Sequence, residues 1–201
     1  MSMIDIPNTK EKYGWLNIRD AFVYDLFESA GASQFPMLTD SSQAKFEVGD
    51  RQFKLATCKP GTGHDNWLQG IRVAFTMDIS AKALVEAERY HFFDIVSSTS
   101  TMHRITKFNL DRCYNEYVDP RMIEVMKDLV NRYNEDPSKE NLLRVLYSNP
   151  AGFTYSIRFT TNYRQLKTIY IQRRDHLLPE WQWFCAWIES LPYAYLTTDA
   201  A

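Results

Sequence analysis

The segment 141–191 constrains this chain most, because an alternating run, a helix-start signal and a pair of arginines follow one another without a break. Phe153, Tyr155, Ile157 and Phe159 alternate with Thr154, Ser156, Arg158 and Thr160. This period of two predicts a strand buried on one face. Asn162, with Gln165 three residues on, predicts a capped helix whose apolar stripe is Tyr163, Leu166, Ile169 and Tyr170. Arg173 and Arg174 continue that stripe, four residues after Ile169 and Tyr170. A guanidinium on a buried face needs an anion, and its planar fork suits carboxylate or phosphate. Two readings stay open: a phosphate-binding pair, or a structural ion pair with Asp175 or Glu180.

Before this segment, 71–79 alternates Ile71, Val73, Phe75, Met77 and Ile79 with polar or small residues, which predicts a second long strand. Ser80 should cap a helix running to about His91. There follow five hydroxyl residues, Ser97 to Thr101, then His103 and Arg104. Hydroxyls and backbone N–H groups at a helix start suit phosphate oxygens, although a polar loop with an ordinary N-cap has the same composition. Asp119-Pro120 opens a helix with Met122, Met126, Leu129, Val130 and Tyr133 on one side. A short apolar helix carrying Arg144 comes next.

Near the start, residues 17–30 read as an amphipathic helix with Ile18, Phe22, Leu26 and Phe27 inward, ended by Gly31. Residues 45–48 and 51–57 read as a hairpin about Gly49-Asp50. Residues 59–66, with Pro60, Gly61 and Gly63, read as a functional or mobile loop that holds a solvated His64. The last helix carries Trp181, Phe184, Ile188 and Leu191 on one face and Trp183 and Trp187 on another. It is either a core element with a subunit interface or a helix buried on all sides of one monomer.

At 201 residues and 45% hydrophobic, the chain has enough apolar surface for a full core. We expect one domain over 1–201, with an N-terminal helix and hairpin in 1–65 and the main core in 70–191. A net charge of −2 argues against duplex nucleic acid as a partner. The three cysteines form no CxxC pair, the first residues lack the pattern of a signal peptide, and no apolar run could cross a membrane. A reducing cytoplasm is the expected compartment. His103 has no second ligand at zinc spacing, and GxGxxG, P-loop and GxSxG patterns are missing.

The order of these elements resembles the flavin-dependent thymidylate synthases. The likeness is carried by 153–181, where a strand enters an Asn-capped helix ending in Arg173-Arg174-Asp175, and by 75–103, leading to that family's signature segment. The resemblance implies an α+β fold, an antiparallel sheet packed with helices on one side, and a homotetramer whose sites draw on several subunits. It also implies a site for dUMP, with Ser98, Thr99, Thr101, His103, Arg104, Arg144, Arg173 and Arg174 as its substrate-binding residues. The chain departs from the family where an Arg-His-Arg triplet should contact flavin: His91-Phe92-Phe93 stand there, and Val96 replaces the first serine. Each lost arginine would remove a charge-assisted hydrogen bond of roughly 1.5–3 kcal/mol. The expectation is therefore a nucleotide-phosphate protein without flavin, with FAD, held in part by His91, as the alternative. Flavin-dependent methyl or hydroxymethyl transfer to dUMP and a non-catalytic interaction scaffold are the other two readings. The run Trp183-Phe184-Cys185-Ala186-Trp187-Ile188-Glu189-Ser190-Leu191-Pro192 is also similar to the ends of certain phage and prophage proteins.

Overall fold

The two alternating runs become neighbouring strands. The computed structural model describes residues 1–9, 12, 14–59 and 61–199. In it β3 (Arg72–Ser80) and β5 (Thr154–Asn162) pair antiparallel over nine residues each, with Phe75 opposite Phe159. They are the centre of a five-stranded antiparallel sheet of order β1-β2-β3-β5-β4, in which β1 is Met3–Ile6, β2 is Ile18–Tyr24 and β4 is Asp94–Ser98. The α+β expectation, with helices on one side of an antiparallel sheet, matches this architecture.

One sheet face is apolar. Val73, Phe75, Met77, Ile79, Ile157 and Phe159 pack against α7 (Tyr163–Arg173) and α8 (Pro179–Ile188). Phe75 is the hub, with ring centroids 5.7 Å from Phe159 and 4.8 Å from Trp187. Aromatic pairs at such spacings add to the area they bury. The other face carries Arg19, Thr76, Asp78, Ser156 and Arg158, where Arg19 pairs with Asp78 at 3.0 Å.

Caps start the helices at the positions the sequence marks. Asn162 Oδ1 accepts the Gln165 N–H at 2.9 Å, and Ser80 Oγ accepts the Ala83 N–H at 3.2 Å to begin α3 (Ala81–Ala87). Asp119 caps α5 (Pro120–Glu135), which with α6 (Lys139–Ser148) buries Met126, Val130 and Val145 around Phe153. Helix α3 ends at Ala87, not near His91, because Phe93 turns into the main core 4.6 Å from Phe159 and directs the chain into β4.

The N-terminal expectations need correction. Residues 18–24 form a strand, followed by α1 (Leu26–Ala32), instead of one helix over 17–30. A bulge between Arg19 and Phe22, with Asp20 at φ +51°, adds a residue to the alternation. It leaves Ile18, Ala21 and Val23 inward and puts Phe22, which the helix reading placed inward, on the opposite face. Gly31 lies inside α1 and does not end it. The expected hairpin about Gly49-Asp50 is a helix, α2 (Asp50–Ala56). Gln52, 4% exposed, turns its side-chain oxygen back to the Gly49 N–H at 3.2 Å, a helix-start bond that a strand would lack. Within the expected loop 59–66, Pro60 lies outside the described residues, and Asn66–Gln69 form a 3-10 turn.

The terminal helix serves one monomer. Trp181, Phe184, Trp187 and Ile188 are all buried in the main core, and Trp183 packs edge-on against Trp15 at 5.7 Å. Gly14, at φ +53°, lies so close under Trp183 that any side chain there would collide. The alternative of burial within the monomer therefore accounts for both aromatic faces.

Candidate functional site

Helix α7 presents different chemistry at its two ends. At its C-terminal end Arg173 is 16% exposed and donates from Nη1 to Glu86 Oε2 at 2.7 Å, with Glu86 on α3 at 15% exposed. Its Nε donates to the Tyr90 hydroxyl at 2.8 Å, and its guanidinium lies 5.0 Å from the Trp181 ring and 5.6 Å from the Tyr90 ring. The same Glu86 oxygen accepts from Trp181 Nε1 at 3.2 Å and lies 3.3 Å from His176 Nε2. The ion-pair reading of Arg173 thus has a partner, and it is Glu86, not Asp175 or Glu180. The three-helix clamp of α3, α7 and α8 follows from it. Arg174 is more exposed, with Asp175 at 3.5 Å and the Tyr170 ring at 6.0 Å.

At its N-terminal end α7 borders open space. Two hollows of about 440 and 190 Å³ meet there, sharing Gln69, Phe92 and Asn162. The larger adds Arg72, Asp94 and Thr160; the smaller adds Arg164, Gln165 and Thr168. Gln165 is 9% exposed, and among the described residues its amide nitrogen has no hydrogen-bond partner. A buried unpaired donor costs about 1–3 kcal/mol, so its place beside a hollow is informative. The first turn of an eleven-residue helix adds a partial positive charge, with its Tyr163 and Gln165 N–H groups already donated to the Ile71 carbonyl and Asn162 Oδ1. Arg164 is 35% exposed, with Asp65 Oδ1 at 3.3 Å from its Nε. Asp65 also holds Lys167, whose ammonium reaches Asp65 Oδ2 at 3.0 Å and the Ala56 carbonyl at 2.6 Å. That buried pair fixes α7 against the 66–69 turn and so fixes the wall of the hollow.

The remaining sequence candidates lie elsewhere. Ser98 closes β4 opposite Ile157, and Thr99 Oγ1 accepts the Ser156 N–H at 3.1 Å. Thr101, at the start of α4 (Thr101–Arg104), sits 3.2 Å from the Tyr155 hydroxyl. His91, His103 and Arg104 are exposed. Ser97 and Ser98 belong to a strand, so the hydroxyl run is a strand edge followed by a single helical turn. Arg144 is exposed on α6 and pairs with Glu140 at 2.6 Å. Among the described residues no hydrogen bond or ion pair joins Arg144 or Arg173 to Thr99, Thr101 or His103. Nor does any His, Cys, Asp or Glu cluster among them suit a metal.

Sequence reasoning passed over Gln69, Arg72, Arg164 and Gln165. The available signal was the capping pair Asn162 and Gln165, read for its backbone role alone; a capping-box residue that instead points its amide away is legible only in three dimensions.

No protein-family model and no curated protein matches the sequence. Solved structures do. The chain superimposes on the flavin-dependent thymidylate synthase ThyX from Helicobacter pylori complexed with FAD and dUMP, with a TM-score of 0.70, at 18% identity over 89% of this chain and 96% of that one. A second structure of that protein with FAD and dUMP agrees, at 19% identity over 89% and 95%. The UMP/dUMP methylase PolB from Streptomyces cacaoi, bound with 5-Br dUMP, gives a TM-score of 0.66 at 12% identity over 93% and 94%. The chain has the fold of the ThyX-like proteins. Among the described residues no helix is long and apolar enough to cross a membrane.

Proposed function

We propose that this ThyX-like protein binds a pyrimidine nucleotide such as dUMP, with the phosphate end held at the start of α7. The observation that carries the reading is the unpaired, buried amide of Gln165 beside the joined hollows. Arg72, Arg164 and the side-chain amide of Asn162, at the positive end of α7, would supply the remaining donors, a set suited to phosphate oxygens. The fold likeness to two proteins solved with dUMP or 5-Br dUMP supports the class of ligand.

The strand edge takes a different part in this reading. Residues 94–98 are exposed along their whole length, and Ile95, Val96 and Met102 are exposed apolar side chains beside Thr99, Thr101, His103 and Arg104. Such an edge is a natural place for another copy of the chain. A homo-oligomer would bring those hydroxyls and cations to the site of a neighbour, and light scattering on the eluted peak measures the copy number. A ligand at Arg173 would compete with Glu86, which already holds its Nη1.

A second reading retains a flavin. Arg72 and Arg164 offer cations that the 91–93 segment lacks, and the Gln165 amide suits a ring edge or a phosphate, so the residues at the hollows fit such a group. When bound, a flavin would supply hydride transfer for a methyl-group synthesis on the nucleotide. The visible spectrum of the purified protein separates the readings, since bound oxidised flavin is yellow.

The test is a thermal-shift titration with dUMP, with dTMP, dCMP, FAD and inorganic phosphate as comparators. A ligand at a hundred times its dissociation constant stabilises the fold by about 2.7 kcal/mol. A shift with dUMP exceeding that with phosphate supports the reading; no shift with any of them overturns it.

A further inference from the structure

A separate hollow of about 400 Å³ opens where the start of α8 meets the end of β3 and the loop 115–118. Ser80 and Glu180 line it together with Tyr117, Val118, Leu177 and Leu178. Its wall is preformed: the Asn115 N–H donates to the Gly152 carbonyl at 2.9 Å, and Gly152 sits so close to Val118 that a side chain there would collide.

Glu180 is the unusual group. It is 4% exposed, and its Oε1 accepts the hydroxyl of Ser80, which is itself wholly buried. Other enclosed carboxylates among the described residues have cations. Asp65 has Lys167 and Arg164, Glu86 has Arg173 and His176, and Asp78 has Arg19. Among the described residues no lysine, arginine or histidine pairs with Glu180. Lys82 borders the same hollow, but its exposed ammonium lies 3.9 Å from Glu86. The positive end of α8 offsets part of the cost of this buried carboxylate. Buried charges are otherwise paired, and a cation from outside the chain would complete this site. The surroundings define its body: Leu177 is 90% and Tyr117 69% exposed, an apolar rim open to solvent.

We propose that this hollow binds a protonated amine carried on an apolar body, its ammonium donating to Glu180 and its alkyl part lying against Leu177, Leu178 and Tyr117. The proposal is independent of the nucleotide reading, since none of these residues lines the hollows at the start of α7.

Hexylamine is the probe, with ammonium ion and hexanoate as comparators at equal ionic strength, and the melting temperature is the readout. Hexylamine alone should raise it. Glu180→Gln keeps an acceptor for Ser80 and should weaken hexylamine about tenfold or more, the loss of one charge-assisted bond. Leu177→Ser, at an exposed position that leaves the fold unchanged, should weaken it a few-fold. An equal response to hexanoate, no response to hexylamine, or a hexylamine response that survives both substitutions would overturn the proposal. If Glu180→Gln does not fold, Leu177→Ser decides: an unaltered response refutes the hollow as the site.

Discussion

The two ends of α7 differ in where their donors are satisfied. At the C-terminal end every named contact of Arg173 is internal: Glu86, the Tyr90 hydroxyl and the rings of Tyr90 and Trp181. At the N-terminal end one pair, Arg164 with Asp65, coexists with a buried amide that has no partner among the described residues. Both ends carry arginine, so charge alone does not mark a ligand site. The difference lies in what is left over once the chain has paired its own groups.

The largest expected effect comes from breaking the support beneath the open end. Asp65→Ala would leave the Lys167 ammonium, 4% exposed, without its carboxylate. Loss of one partner of a buried pair costs about 3–5 kcal/mol, and urea unfolding should show it. At the closed end Arg173→Ala should cost somewhat less, about 2–3 kcal/mol, because the pair is only mostly buried and Glu86 keeps Trp181 and His176. Arg173→Glu should be worse, placing two carboxylates together. If either closed-end variant instead folds with full stability and loses dUMP, the contrast between the ends is reversed.

Ligand affinity sharpens the comparison. Arg164→Ala should weaken dUMP about tenfold, the scale of one charge-assisted hydrogen bond, as read by titration calorimetry. Arg144→Ala, which removes only an exposed pair with Glu140, should change stability by less than about 1 kcal/mol.

The smallest effects concern the thiols near and far from α7. Burial pushes the Cys185 thiol up to about 12 and Cys113 up to about 11. In the unfolded chain these thiols ionise nearer their ordinary value of 9.0, so the raised pKa contributes stability below pH 9. That contribution fades as pH rises from 9 through about 11 and then 12. Among the cysteines Cys58 is the less buried one. A thiol reagent at neutral pH should modify Cys58 first and the other two only on unfolding.

Much of this fold is legible in the sequence where one physical signal dominates. The runs at 71–79 and 153–160 alternate without interruption and become β3 and β5; Asn162, Ser80 and Asp119 announce helices that begin where their side chains say. Legibility fails where two signals coincide. A bulge at Asp20 breaks the period of two in β2 and so hides the strand, and Gly49 serves as a helix start as readily as a turn. The site is less legible still. That Arg173 faces inward follows from its spacing, but Glu86, eighty-seven residues away, becomes its partner only through the packing of α3 on α7. The unpaired state of Gln165 is an absence of contacts, and no local pattern encodes that.

The claim that the open end of α7 is the nucleotide site is tested most directly by mapping dUMP-induced changes in the backbone amide spectrum of the protein. Perturbations centred on Gln69, Arg72, Asn162, Arg164 and Gln165, with Glu86 and Arg173 unmoved, are the predicted result. Perturbations centred on Arg173, Tyr90 and Glu86, with the residues at the start of α7 unchanged, would contradict it.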